Sequence, residues 1–208
     1  MMALCPGLHT LDLRRCNCSN LLYGAKAFIP PAGENLRSIT VAECDGETRL
    51  DAVSVPSLHS FRYSGRFLVS PFLLPEDAAL TELYVCVGEP IPRIFSGYFN
   101  RALPDDLSGL TVLTICNNAL KIASSLLNDG GSDQSTKLSK LQSLRELQLL
   151  MFGMESHNLA DIYAFLKSCH CPNLERLFVQ LPTIGDEPSE DLLDEVVAEP
   201  PEDGLGNL

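Results

Sequence analysis

One sequence pattern limits the possible folds of this 208-residue chain more than any other feature: Leu-x-x-apolar-x-apolar, which occurs seven times. Successive copies begin 28, 22, 22, 30, 34 and 30 residues apart, with opening leucines at Leu8, Leu36, Leu58, Leu80, Leu110, Leu144 and Leu174. Positions in each copy are numbered here from its opening leucine. The fourth and sixth residues are apolar and two apart, so they share one face of a short strand. A single copy cannot bury that face alone, and neighbouring copies are expected to stack.

The spacing lies within or just above the range of a leucine-rich repeat. It predicts an α/β fold, an irregular leucine-rich repeat solenoid with a parallel β-sheet on the concave side and helices and loops on the convex side. About seven repeats fill residues 1–182. Residues 183–208 hold nine acidic residues and no Lys or Arg, which predicts an acidic, Pro-containing linker or tail. Leu208 stands where a truncated eighth repeat would open.

Three connecting segments carry apolar residues at helical spacing, and each is predicted to be a convex-side helix packed on the core. The clearest follows Ser156-His157-Asn158, whose polar side chains can cap a helix amino terminus. The apolar residues of the three segments are Ile94, Phe95, Tyr98 and Phe99; Ile122, Ala123, Leu126 and Leu127; and Leu159, Ile162, Tyr163 and Leu166.

The charge distribution disfavours several classes of partner. The net charge of -12 is concentrated in residues 183–208, while the remainder carries 18 acidic and 15 basic residues. Neither part has a basic stripe, so we expect no nucleic-acid and no membrane partner. No long apolar run and no signal-peptide pattern is visible, which predicts an intracellular protein, cytoplasmic or nuclear, with reduced thiols.

The cysteines are explained mainly by repeat position. Cys16 and Cys44 occupy the ninth position, where leucine-rich repeats use Asn or Cys to tie the turn after the strand, and Asn118 fills the same place in the fifth repeat. A zinc site that combines Cys16-x-Cys18 with Cys169-His170-Cys171 is the alternative. These groups lie about 150 residues apart and lack the usual paired two-residue spacing, so we predict no metal and no cofactor.

Catalytic motifs are missing from the sequence. It contains no G-x-S-x-G, phosphate loop, H-E-x-x-H or dinucleotide fingerprint. The segment Cys169-His170-Cys171 is the one conspicuous cluster of reactive side chains, and we interpret it as a helix-to-strand corner. We therefore expect a protein that is not an enzyme and has no catalytic residues.

If the chain is a binding protein, strand geometry identifies its binding surface. The third, fifth and seventh residues of each repeat point away from the core. Thr114 and Cys116, the fifth and seventh residues of the fifth repeat, are among them. Arg and aromatic residues are enriched at interface hot spots, so Arg62, Tyr84 and Phe178 are the leading candidates. The full set of predicted partner-binding residues on the concave face is Asp12, Arg14, Arg62, Glu82, Tyr84, Gln148, Arg176, Phe178 and Gln180.

A family resemblance supports this interpretation. The runs CPGLHTLDLRRC (residues 5–16), VPSLHSFRYSG (55–65) and CPNLERLFVQLP (171–182), followed by an acidic segment ending EPPEDGLGNL, resemble the leucine-rich region of plant F-box/LRR-repeat proteins. The resemblance implies a protein-protein interaction module that recognises the substrate of an SCF-type ubiquitin ligase. The F-box, which docks on a Skp-type adaptor and cullin, is absent from this sequence, so those partners are expected only for a longer form. The alternatives are an LRR sensor fragment of an intracellular plant immune receptor and a non-functional truncated fragment.

Overall fold

A computed structural model describes residues 7–16, 35–44, 57–66, 74, 78–88, 96–128, 137–139, 141–152 and 158–182. The predicted acidic tail at 183–208 lies outside the described residues, as do Cys18, Ile94 and Phe95. The predicted boundary at residue 182 and the eighth repeat therefore remain predictions.

Seven short strands form one sheet in the order of the sequence, and every neighbouring pair is parallel. In a parallel sheet each connection must bring the chain from the carboxyl end of one strand back to the end where the next strand begins. The repeated pattern predicts such connections. The fold is therefore α/β with an all-parallel sheet. The strands are β1 (Thr10–Arg14), β2 (Ser38–Ala42), β3 (Ser60–Gly65), β4 (Glu82–Val87), β5 (Val112–Cys116), β6 (Glu146–Leu150) and β7 (Arg176–Gln180).

The strands pair so that equivalent repeat positions lie side by side. The fourth residues Leu113 and Leu147 are partners, for example, and so are the fifth residues of the same strands. The backbone hydrogen bonds at the second position also repeat. The His9 carbonyl accepts hydrogen bonds from the amides of Arg37 at 2.9 Å and Ser38 at 3.1 Å, and the second-position carbonyl of each later repeat up to the sixth accepts the same two bonds from the next repeat. The repeat phase predicted from the leucines is confirmed.

Three helices lie in the described connections: α1 (Ser96–Ala102), α2 (Asn117–Asn128) and α3 (Asn158–Ser168). A single 3₁₀ turn covers Lys137–Ser139. Helices are thus present in all three segments where apolar spacing predicted them. No helix in the described part of the chain has the length and apolar character needed to cross a bilayer.

The core is deepest in the middle of the sheet. The opening, fourth and sixth residues of the central repeats are almost inaccessible, with Leu58, Leu110 and Leu144 all 0 % exposed. The last strand differs, because its inward-facing Leu177 and Val179 are 46 % and 43 % exposed. Each strand is buried by the repeats on both sides of it, so burial decreases at an edge strand.

The prediction for α3 is partly wrong. Leu159 and Tyr163 were expected to pack on the core, but they are 66 % and 55 % exposed. Phe165 is the fully buried residue of this helix, and Ile162 and Leu166 are half-buried against the core. The buried side of α3 is therefore rotated relative to the predicted stripe.

Two of the three predicted ninth-position side chains reach the preceding strand. The thiol of Cys44 lies 3.6 Å from the carbonyl oxygen of Leu13 in the preceding strand and 3.5 Å from that of Ala42 in its own strand, whereas the Cys16 thiol donates to Arg14 in its own strand. Asn118 donates from Nδ2 to the carbonyl of Val87, again in the preceding strand, at 3.0 Å. The Val87 carbonyl lies beyond the last paired residues of β4 and β5, so Asn118 supplies a donor that the ladder no longer provides.

Candidate functional site

The third, fifth and seventh residues of the strands form one side of the sheet, called the polar face here. Along β2, β3, β4 and β6 the fourth and sixth residues are buried, whereas most residues between them are half-buried or exposed. On β7 all five residues are exposed, and its side of the sheet follows from its pairing with β6. Every predicted partner-binding residue lies on the polar face: Asp12, Arg14, Arg62, Glu82, Tyr84, Gln148, Arg176, Phe178 and Gln180.

In-register pairing arranges the fifth residues of all seven strands in one row. Adjacent strands lie about 4.8 Å apart, so the six intervals give a row about 29 Å long. The members of this row are Asp12, Thr40, Arg62, Tyr84, Thr114, Gln148 and Phe178. Five members of the row are polar and two are aromatic, with Tyr84 in the middle and Phe178 at one end. This mixture suits contact with a protein surface.

Arg62 and Tyr84 form the most distinctive contact on the polar face. They are partners on β3 and β4, and the Arg62 guanidinium carbon lies 4.7 Å from the centre of the Tyr84 ring. This cation-π contact holds an exposed arginine in a fixed place on the surface. Burial raises the pKa of the Tyr84 phenol, and Arg62 opposes that rise. The phenol therefore stays protonated at neutral pH and can donate a hydrogen bond to a ligand.

The charges of the polar face are balanced and partly paired with each other. Asp12 and Arg14 form an ion pair at 2.9 Å near one edge, and Arg176 contacts Glu146 at 2.8 Å near the other. The Asp12–Arg14 pair is exposed, and such pairs contribute only about 0–1 kcal/mol, so a partner can replace it at small cost. The Glu146 side chain is only 14 % exposed, so the second pair is partly buried. Neither Arg62 nor Glu82 forms an ion pair within the described part of the chain.

The centre of the polar face is less open than expected. Thr114 and Cys116 were predicted to face solvent, but they are 6 % and 0 % exposed. Thr114 lies between the longer side chains of Tyr84 and Gln148, and its hydroxyl donates to Oε1 of Gln148 at 3.1 Å. Cys116 directly precedes α2, and the backbone amide of Val87 donates to its sulfur at 3.0 Å.

The three leading candidates do not form one cluster. Arg62 and Tyr84 are adjacent, but Phe178 lies on β7, three strand intervals or about 14 Å from Tyr84. Phe178 is 52 % exposed, so its ring is accessible at the far end of the row. A partner must therefore span most of the sheet to contact all three residues.

Two thiol pairs lie in the described structure, of which the first was not identified from the sequence and the second belongs to the cluster Cys169-His170-Cys171 noted there. Cys86 is the last residue but one of β4 and Cys116 is the last residue of β5, and their interaction lowers the pKa of Cys116 and raises that of Cys86. Cys169 and Cys171 lie at the corner between α3 and β7 with their sulfurs 3.6 Å apart. The corner itself was predicted, and the Cys-x-Cys spacing was the available signal for the second pair. Within the described residues no three His, Cys, Asp or Glu side chains converge as a metal site would require.

Comparison with known proteins returned no match among family models, curated proteins or solved structures. The functional assignment therefore depends on the residues and geometry of this chain.

Proposed function

We propose that this chain is a leucine-rich repeat solenoid that binds a protein partner through the polar face of its sheet. The main support is the continuous row of fifth-position residues, which seven parallel strands present in register on one surface. The repeated backbone bonds and the Cys44 and Asn118 side-chain bonds support the repeat class. Stacked repeats provide extended surfaces of this kind for large ligands.

The composition of the row favours a protein ligand over a small molecule. The exposed groups spread over about 29 Å and alternate in chemical character, whereas a small-molecule site collects its polar groups in one closed cavity. Charged groups of both signs are present on this face, among them Arg62 and Glu82, and Arg176 contacts Glu146. Such a surface can pair with both acidic and basic groups of a partner and has no excess of positive charge to attract nucleic acid.

The resemblance to plant F-box/LRR-repeat proteins suggests a more specific role for this binding face. We propose that it recognises the substrate of an SCF-type ubiquitin ligase when an F-box is joined to it. The tagged chain, with and without a grafted F-box, would be purified from plant cells and its partners identified by mass spectrometry. The proposal expects shared substrate proteins in both samples, with adaptor and cullin in the grafted sample alone. Different partner sets, or adaptor and cullin with the chain alone, would contradict it.

The binding face itself is tested with matched variants. Replacement of Arg62, Tyr84 and Phe178 by Ala removes the leading contacts, and a partner from the purification should then bind at least about 30-fold more weakly. The control variant carries Arg101→Ala, Tyr163→Ala and Phe152→Ala. These residues are exposed, have the same chemistry and lie outside the polar face. Calorimetric titration of both purified variants would give the affinities, and circular dichroism would confirm that both are folded. Equal affinity of the two variants would exclude the polar face as the binding surface.

A further inference from the structure

Cys169 and Cys171 are held close together by the corner that joins α3 to β7. The Cys169 amide donates to the Phe165 carbonyl at 2.8 Å, and the Leu174 amide donates to the Cys171 carbonyl at 3.3 Å. Between them, the His170 carbonyl accepts the amide of Leu141 at 3.2 Å. Three backbone bonds therefore fix the segment that carries both thiols, and the two sulfurs are 3.6 Å apart. Neither thiol is in a disulfide.

The two thiols have different environments. Cys169 is 5 % exposed, and its thiol lies 3.2 Å from the carbonyl of Leu138. Cys171 is half-buried and so reachable from solvent. While Cys171 is protonated, its thiol donates toward Cys169, where the carbonyl oxygen lies at 3.3 Å and the sulfur at 3.6 Å. Once Cys171 has lost its proton, the Cys169 thiol can donate to the Cys171 sulfur instead, and this hydrogen bond lowers the pKa of Cys171 to about 7.

We propose that Cys169 and Cys171 are a redox-active dithiol that exchanges with low-molecular-weight disulfides, such as oxidised glutathione, and closes into an intramolecular disulfide. The exposed sulfur reacts first and the buried one second. Closure needs the sulfurs to approach from 3.6 Å to a bond length of about 2.05 Å. This inference is independent of the proposed binding function.

The exchange balances in two steps. The Cys171 thiolate attacks one sulfur of oxidised glutathione, the glutathione S–S bond breaks, and one glutathione leaves as a thiolate and takes up a proton. Cys169 then loses its proton and attacks the sulfur of Cys171, which breaks the mixed disulfide and releases the second glutathione. Two electrons and two protons pass from the protein to the glutathione disulfide, giving two glutathione molecules. The neighbouring thiol and burial raise the pKa of Cys169, and the former cause disappears once Cys171 is in the mixed disulfide.

Trypsin makes the products easy to assign. Cleavage after Lys167 and Arg176 releases residues 168–176, which contain Cys169 and Cys171 and no other cysteine. The full chain would be equilibrated in reduced and oxidised glutathione with a chelator, quenched with N-ethylmaleimide, digested and weighed by mass spectrometry. The proposal expects this peptide to lose two hydrogens without gaining glutathione or maleimide.

Cysteine variants and a measurement in urea test whether the folded structure promotes the internal disulfide, since any two cysteines close in sequence can form one to some extent. Cys169→Ser should stop at one glutathione on position 171, and Cys171→Ser should leave the buried Cys169 mostly unmodified. In urea, where the corner is lost, formation of the internal disulfide should be at least about tenfold less favourable than in the folded chain. A wild-type peptide that stays reduced, that carries two glutathiones, or that oxidises equally well in urea would overturn the proposal.

Discussion

Equivalent leucines in neighbouring repeats should differ strongly in their contribution to stability. Leu147 and Leu177 are both fourth-position residues and are partners on β6 and β7, but they are 0 % and 46 % exposed. Replacement of Leu147 by Ala leaves a closed cavity, which typically costs 2–5 kcal/mol, so we expect a loss of about 3 kcal/mol. Leu177 is only about half-buried and the vacated space is open to water, so Leu177→Ala should cost about 1 kcal/mol.

Urea denaturation monitored by circular dichroism would measure both losses as changes in the free energy of unfolding. Leu159→Ala on α3 is the control, because Leu159 is 66 % exposed and Ala is a good helix former, so its effect should be within about 0.5 kcal/mol. Equal losses for Leu147→Ala and Leu177→Ala, with unchanged denaturant slopes, would refute the reasoning. They would mean that β7 is as deeply packed as β6.

Three further predictions follow from single contacts. Asn118→Ala should lower the free energy of unfolding by about 1 kcal/mol, because it removes the 3.0 Å hydrogen bond to the Val87 carbonyl. Asn118→Asp lacks the donor and should lose a similar amount. An unchanged melting temperature in both variants would mean that this bond between neighbouring repeats does not stabilise the fold. A double-mutant cycle that replaces Arg62 and Tyr84 by Ala should give a coupling energy of about 0.5–1 kcal/mol in thermal or urea unfolding, and a value of zero would mean that the cation-π contact does not form. The pKa of Cys171 is about 7 instead of its ordinary 9.0, so its rate of alkylation by iodoacetamide should be half-maximal near pH 7 and should fall at lower pH. The extent of alkylation would be read from the tryptic peptide. A midpoint near pH 9 in the folded chain would contradict this value.

Much of the sheet could be predicted from the sequence, since its leucine pattern is a local signal. Two apolar residues at a separation of two define the buried side of a strand, and their recurrence defines which residues become neighbours. The positions of all seven strands and their mutual register followed from this pattern alone. The same pattern placed the candidate binding residues at the third, fifth and seventh positions, on the side of the sheet opposite the fourth and sixth residues.

The depth of burial could not be predicted in this way. Thr114 and Cys116 have the periodicity of surface residues but are buried, because longer side chains on adjacent strands and the start of α2 lie against them. Conversely, Leu159 and Tyr163 have the spacing of core residues but are exposed, because α3 turns Phe165 toward the core.

The sequence by itself determined the repeat phase, the parallel order of the strands and the face on which Arg62, Tyr84 and Phe178 lie. Only the tertiary structure decided that the Arg62 guanidinium lies over the Tyr84 ring, and that Cys169 and Cys171 have their sulfurs 3.6 Å apart. The physical reason is that a side chain's direction depends on its own backbone period, whereas distances and burial depend on which atoms of other segments pack against it.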